Sequence, residues 1–290
     1  MSDIGCHALV WTGTFEREGL TRAVERTRNA GYDLLEIPLL RPHAFDVATA
    51  KEILADSDLD VSASMGLSDA TDIGSADPEI VKAGEQTLNK AVEIVSELGG
   101  RHLCGVLYGV LKKYPGPATA QGRANSQDVL RRVARRAADS GVQLSLEVVN
   151  RYESNMFNTC KGALEYLDEV GDDSIKVHLD SYHMNIEESG MIAPVLAAAD
   201  RLGYVHIGES HRGYLGSGTV DFGSFFRALA MVDYDGPIAF ESFSTAVVDD
   251  ILSVSLAVWR NLWDDSDDLG RHANDFIRGK LRAVETIALH

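Results

Sequence analysis

Eight short apolar runs, each followed by a longer amphipathic segment, leave this chain very few topologies. The runs are Ile4–Val10, Leu34–Leu39, Val61–Leu67, His102–Leu107, Gln143–Val149, Ile175–Asp180, Tyr204–Gly208 and Pro237–Phe243. They are rich in Val, Ile and Leu. Several lack two-residue alternation, the pattern of strands covered on both faces. The segments between them carry helical signals. Glu16–Ala30 sets Leu20, Val24 and Thr27 on one face and stops at Gly31, a residue suited to the left-handed turn that ends helices. Asp77 and Pro78 open a helix that runs to Gly99, a capping acceptor followed by a residue with no N–H to satisfy. Leu130, Val133, Ala134 and Ala137 line the next, which stops near Gly141. Further helices are expected over Thr159–Val170, Ile192–Leu202, Phe222–Val232 and Val247–Trp263, with a final one over about Asn274–Leu289.

Parallel strands need crossovers, crossovers are right-handed, and eight such units close readily. The expectation is an α/β chain: a (β/α)8 TIM barrel forming a single domain over residues 1–290, with an additional C-terminal helix in an extension from about 264 to 290. The rival is an open doubly wound sheet, which usually carries a Gly-rich phosphate turn after its first strand. Here that turn reads Val10-Trp11-Thr12-Gly13-Thr14-Phe15, without the glycine spacing.

Charge and cysteine usage narrow the partners. The formal net charge is -17, which opposes binding to phosphate backbones and anionic membranes, so neither nucleic acid nor membrane is expected as a partner. Arg131, Arg132, Arg135 and Arg136 make one basic helix edge, read as solvated or subunit-facing rather than as a phosphate-tracking groove. No run approaches the roughly 18 apolar residues of a membrane span. Met1–Gly5 lacks a secretory pattern, so a cytoplasmic location is expected. Cys6, Cys104 and Cys160 are too few and too far apart for a disulfide framework or a thiolate zinc site.

The polar residues that matter sit where a barrel places function, at the C-terminal ends of strands. Four late runs end in strong metal ligands: Glu147, Asp180, His206 and Glu241, each about one strand–helix unit from the next. A lone carboxylate in an apolar strand carries a desolvation cost of several kcal/mol unless it is paired. Three carboxylates and a histidine at one mouth would also repel one another, and a divalent cation removes that repulsion. Three oxygen donors and one imidazole suit Mn²⁺ or Mg²⁺, with Co²⁺ as an alternative. Singly, each residue has a plainer reading, as a helix cap, a core histidine or an ion-pair partner. More donors and acceptors follow at Asn150–Glu153, Ser181–Glu188 and Gly208–Gly213, a density suited to an uncharged sugar. The Gly-rich stretch Gly213–Gly218 reads either as a lid over the mouth or as an ordinary turn. Trp259 and Trp263 are expected in the core, and Asp264–Asp268 in a solvated turn.

Three motifs carry a family resemblance: L-E-V-V-N-R-Y-E at 146–153, H-L-D-S-Y-H-M-N-I-E-E at 178–188 and H-I-G-E-S-H-R-G at 206–213. They resemble the ketose 3-epimerases, a group within the xylose-isomerase-like barrels that includes D-tagatose and D-allulose (D-psicose) 3-epimerases. C-H-A-L-V-W-T-G at 6–13 and A-S-M-G-L-S-D-A-T-D at 63–72 look like the D-allulose 3-epimerase branch. The resemblance implies that Glu147, Asp180, His206 and Glu241 bind one metal ion per subunit. It implies that Glu147 and Glu241 are also the catalytic acid and base, and that Glu153, His183 and Arg212 hold the substrate near O1 and O2. His7, Trp11 and Tyr108 are candidates for its far end. The implied reaction is epimerisation of a ketohexose or ketopentose at C3, through deprotonation, a metal-stabilised enediolate and reprotonation from the other face. D-fructose and D-allulose are the first pair, with D-tagatose/D-sorbose and L-ribulose/L-xylulose as further pairs. Relatives of this kind associate as dimers and tetramers, so a homo-oligomer, for instance a homotetramer, is implied.

Rival activities share the fold. Xylose isomerase itself uses two metals and a lysine after strand 5, where this chain has Arg151 and Tyr152. Hydroxypyruvate isomerase, with a similar carboxylate pair, stays open. An apurinic endonuclease would need a larger His-rich cluster and a basic face. A non-catalytic sugar-binding or regulatory protein has little need for two opposed carboxylates.

Overall fold

Hydrogen bonding around a closed ring leaves no strand edge bare, and this chain takes that solution. In the computed structural model, which describes residues 2–248, 253–254 and 257–287, eight parallel strands pair in chain order and the last returns to the first. They are β1 (Ile4–His7), β2 (Leu34–Pro38), β3 (Asp60–Leu67), β4 (His102–Val110), β5 (Gln143–Glu147), β6 (Lys176–Asp180), β7 (Leu202–Ile207) and β8 (Ile238–Phe240). Around them lie α1 (Arg17–Asn29), α2 (Val47–Leu54), α3 (Pro78–Glu97), α4 (Ala120–Asp139), α5 (Cys160–Val170), α6 (Ser181–Glu187), α7 (Ile192–Ala198), α8 (Phe222–Met231) and α9 (Ser266–Ile287). No helix among the described residues is long and apolar enough to cross a membrane.

Helix ends follow local chemistry. The Asp77 carboxylate accepts the Glu79 N–H at 2.9 Å and starts α3. Thr159 does the same for α5 through Gly162, and Gly171 ends it at a φ of 69°. The expected helix over Ile192–Leu202 is shorter: α7 gives way to a 3-10 turn at Ala199–Arg201, and Leu202 already belongs to β7. Helix α2 was not expected. It is one eight-residue stretch with only Ala50 buried, so its apolar periodicity is weak, and Asp46 capping Thr49 is its clearest mark.

The C-terminal region departs most from expectation. Of the helix expected over Val247–Trp263, residues 249–252 and 255–256 lie outside the described set, and the described chain from Val258 to Trp263 is irregular. Side-chain bonds compete with helix there: Ser244 donates to Asn261, and the Trp263 indole N–H donates to Ser242 at 2.9 Å. Trp263 is buried, whereas Trp259 is 70% exposed rather than in the core. The acidic run is not a free turn. Asp265 accepts the N–H groups of Asp267 and Asp268, and α9 begins at Ser266, eight residues earlier than expected. Negative charge at a helix N-terminus complements its dipole. The expected Ala288 and Leu289 lie outside the described residues.

The basic edge of α4 is an ion-pair seam. Arg132 grips Glu85 of α3 at 2.7 Å, Arg136 approaches Glu93, and Arg131 donates to the Val170 carbonyl at the end of α5.

Helix α9 packs on α8, on β1 and on the segment after β1. Gly270 lies so close to Trp11 that an added Cβ would sit 2.0 Å from Trp11 Cη2. A rigid indole cannot yield to it. Gly270→Ala is therefore expected to lose about 1–3 kcal/mol to overpacking, against a helix-propensity gain of about 1 kcal/mol at most. At Gly279, where the nearest atom to such a Cβ is 3.9 Å away, Ala is expected to stabilise by about 0.5–1 kcal/mol. Opposite shifts of the two urea midpoints check this; equal shifts would contradict it.

Candidate metal centre and active site

Alternation along a strand decides which side chains enter the barrel. On β5, Ser145 and Glu147 share a face; on β6, His178 and Asp180; on β7, Tyr204 and His206. The register then sets His206 beside Asp180 and beside Ala239 of β8. Glu241, one residue past β8, donates its N–H to the Ile207 carbonyl at 3.1 Å, which brings its side chain level with His206. Glu147, Asp180, His206 and Glu241 are all buried, and one donor atom from each lies within 4.8 Å of the others. The four residues singled out from strand ends therefore meet at one point.

The tautomers of the nearby histidines follow from fixed donors. His183 Nδ1 accepts the Asn150 backbone N–H at 3.2 Å, so its proton is on Nε2, the atom 3.6 Å from Glu147 and 3.7 Å from Asp180. His7 Nδ1 accepts the Leu9 backbone N–H, so its Nε2 also carries the proton and faces the Ser64 hydroxyl at 3.2 Å. His206 is the reverse case. Its Nε2 lies 2.8 Å from the carboxylate of Glu36, which can only accept, so in the neutral ring the lone pair is on Nδ1. That Nδ1 is buried without a hydrogen-bond partner, 3.7 Å from Glu147 and 3.6 Å from Glu241. Among these three rings, His206 alone turns a lone pair toward the carboxylates. A divalent cation would satisfy that orphaned nitrogen and three oxygen donors together, and the donor set fits one.

Arg212 is the cation already at hand. Its Nη1 lies 2.9 Å from Asp180 Oδ2 and 2.7 Å from Glu241 Oε2, and its guanidinium stacks over Tyr182 at 3.9 Å. The backbone is forced to a φ of 60° to deliver it, a conformation costly for a residue with a Cβ and often kept at functional sites. The surroundings hold it there. The Arg212 N–H donates to the Glu209 carbonyl, and Ser242 donates to the Arg212 carbonyl. Gly208 leaves room: a Cβ there would come within 2.6 Å of Arg212 Nη1.

One guanidinium does not balance the mouth. Burial pushes Glu147 and Asp180 above their ordinary values, although His206 opposes it at Glu147 and Arg212 at Asp180. Burial raises Glu153 to about 7 against the pull of Arg212 and the Asn150 amide. Burial also opposes charge on His206, yet Glu36 and Glu241 outweigh it and hold that ring well above its usual range. At Glu36 burial is again overcome, by His206 and His7, and the carboxylate stays ionised.

The remaining expected residues spread around this centre. Glu153 accepts from the Asn150 amide at 2.8 Å and lies 3.9 Å from His183. His7 reaches within 4.0 Å of Glu241. Tyr108 lies behind the rim: it donates to the Glu147 backbone carbonyl at 2.8 Å and packs on Phe157. Trp11 is buried against α9. The stretch Gly213–Gly218 is anchored at Gly216, whose N–H donates to the buried Glu209 carboxylate, which also accepts the N–H groups of Ser210 and Val220 on either side.

Comparison with known proteins decides the family. The family model described as xylose isomerase-like TIM barrel matches residues 24–262. The ketose 3-epimerase of Arthrobacter globiformis is 58% identical over 287 residues, covering 99% of each chain. The chain belongs to the ketose 3-epimerases of this barrel family. The L-ribulose 3-epimerase of Methylomonas sp. (strain DH-1) is 55% identical, over 95% of this chain and 96% of its own. A crystal structure of D-allulose 3-epimerase from Methylomonas sp. in complex with D-allulose matches with a TM-score of 0.94 at 55% identity, over 96% of this chain and 97% of that one. As a ketose 3-epimerase the chain is an isomerase.

Residues that sequence reasoning passed over build the epimerase's support. Glu36 lies in the apolar run Leu34-Leu35-Glu36-Ile37, where a lone charge was the available signal. Tyr204 donates to Glu36 at 2.8 Å, and Asn150 fixes His183. His178 stacks edge-on against His206 at 4.2 Å with neither ring nitrogen bonded, and burial keeps it neutral.

Metal linkage follows from the donor geometry. Mn²⁺ at 100 times its dissociation constant is expected to stabilise the epimerase by about 2.7 kcal/mol, seen as a rise in the calorimetric midpoint that a chelator reverses. Asp180→Asn is expected to lose most of that rise. An equal rise in wild type and variant would exclude Asp180 from the site.

Proposed function

We propose that this ketose 3-epimerase interconverts D-fructose and D-allulose by moving a proton at C3, using Glu147 and Glu241 as the acid–base pair and one divalent ion, Mn²⁺ or Mg²⁺ with Co²⁺ as an alternative. The observation that carries the reading is the approach of these two carboxylates, from strands three apart in the barrel, to His206 Nδ1, at 3.7 and 3.6 Å.

The C3 proton of a ketose is weakly acidic because the C2 carbonyl accepts the charge left behind. Glu147, Asp180, His206 and Glu241 would hold the ion, which when bound offers a Lewis acid to neighbouring sugar oxygens. His183 presents Nε2–H to the mouth, and Arg212 a guanidinium, so both can donate to O2 as negative charge develops there. Inversion requires a base on one face of C3 and an acid on the other. Burial, which raises Glu147, favours a carboxyl able to hold a proton for donation. For the reverse sugar the two glutamates exchange roles. Glu153, next to His183, is proposed to bind O1. Water exclusion falls to the buried pair Phe243 and Leu9.

L-ribulose/L-xylulose and D-tagatose/D-sorbose are proposed as further substrate pairs. The relatives' names, L-ribulose 3-epimerase and D-allulose 3-epimerase, support a mouth that accepts five- and six-carbon ketoses. Assembly as a homo-oligomer, dimer or tetramer, in the cytoplasm is proposed on the family resemblance.

Glu147→Gln and Glu241→Gln, each shown to retain metal, are expected to lower kcat by about 10²–10⁴-fold, the usual worth of a general acid or base. In D₂O each is expected to confine C3 exchange to one face or abolish it. Full epimerisation by both variants would overturn the two-carboxylate scheme. A panel of ketoses ranked by kcat/KM tests the substrate proposal, with D-fructose and D-allulose expected among the preferred pairs.

A further inference from the structure

The floor of the mouth holds a charge that the proposed chemistry does not use. Glu36 is fully buried on β2 and lies beneath His206, out of a substrate's reach. A buried carboxylate costs several kcal/mol unless its lone pairs are satisfied. A barrel interior is ordinarily filled by Val, Ile and Leu. Here the neighbours are Ser62, Tyr204 and His178 instead.

The protons in this cluster run one way. The Tyr204 hydroxyl donates to Glu36 Oε2 at 2.8 Å, so the Ser62 hydroxyl, 2.7 Å away, donates to Tyr204. The same Oε2 accepts the His206 Nε2–H at 2.8 Å. The other oxygen, Oε1, has no hydrogen-bond partner among the described residues, and its nearest cationic candidate is His7 Nε2 at 3.6 Å. Tyr204, itself bonded by Ser62, and His206 thus both direct protons at one carboxylate, and the far side of the neutral imidazole is left with its lone pair aimed at Glu147 and Glu241.

We infer that Glu36 is a positioning residue: by holding His206 through Nε2–H it fixes which ring nitrogen faces the mouth and so sets how tightly the mouth binds a divalent cation. The inference rests on the metal reading proposed above. A carboxylate behind a metal-ligating histidine fixes the tautomer, orients the ring and raises its basicity, and loss of such a partner typically weakens metal binding about 10–100-fold. Gln at position 36 disrupts this in either orientation. Its oxygen can accept the Nε2–H but brings no negative charge, and its amide N–H can instead donate to Nε2, which moves the ring proton onto Nδ1.

The test is titration of metal-free protein with Mn²⁺ alone, by calorimetry, for wild type, Glu36→Gln and Tyr204→Phe. Thermal midpoints monitor folding, and the ¹⁴N modulation of the Mn²⁺ electron spin echo reports the imidazole bond. Glu36→Gln is expected to bind Mn²⁺ about 10–100-fold more weakly with reduced nitrogen modulation. Tyr204→Phe keeps the carboxylate and removes one of its two donors, so a smaller, severalfold weakening is expected. A purely structural role would lower the midpoint and leave affinity and modulation unchanged, which overturns the inference. If Glu36→Gln does not fold, Tyr204→Phe decides, and an unchanged Mn²⁺ affinity in it overturns the inference. Wild type that binds no Mn²⁺ overturns the metal reading and this inference with it; equal affinity in wild type and variants overturns this inference alone.

Discussion

Like charges brought into a dry mouth must be neutralised, and the geometry around Glu147, Asp180 and Glu241 is organised by that requirement. Arg212 supplies one positive charge to Asp180 and Glu241 from a backbone held at a φ of 60°. In its neutral form His206 turns the lone pair of Nδ1 to the same point, because its ring proton sits on Nε2 and is donated to Glu36 from behind. Gly208 stays small so that the guanidinium fits, and Glu209 spends its carboxylate on backbone N–H groups to hold the loop that carries Arg212. Each choice is costly alone and reasonable only around a shared cluster of carboxylates.

The ring of strands was legible because burial on both faces writes continuous apolar runs; the run expected to end at Asp180 ends there, while those carried to Val149 and Gly208 stop at Glu147 and Ile207. Boundaries were less legible where tertiary bonds override local preference. Ser242 and Ser244 claim Trp263 and Asn261 and keep that stretch from helix. Asp265 starts α9 before any apolar stripe announces it. Helix α2 is too short and too exposed to leave a clear period.

The site divided in the same way. Residues whose type is unusual for their position, such as a glutamate closing an apolar strand, stood out individually. Residues that matter through a partner distant in sequence did not. Glu36 and His206 are 170 positions apart, and Asn150 matters because it bonds His183. Tyr108, bonded to the Glu147 carbonyl, and Trp11, lying against α9, have partners that their positions in the sequence did not show. Periodicity gives the face of a strand on which a residue lies but not which neighbour its polar atom meets.

The pairing of β8 back onto β1 has a consequence for how this chain reaches its active form. The four donor residues come from the second half of the sequence, while Glu36 and His7 come from the first. An open, partly assembled sheet can line up Glu147, Asp180 and His206, but it leaves His206 free to spin and Glu241 without the strand that brings His7 beside it. The finished ring is thus what sets Glu36 behind His206 and His7 beside Glu241, so the carboxylate mouth is complete only once β8 has paired with β1.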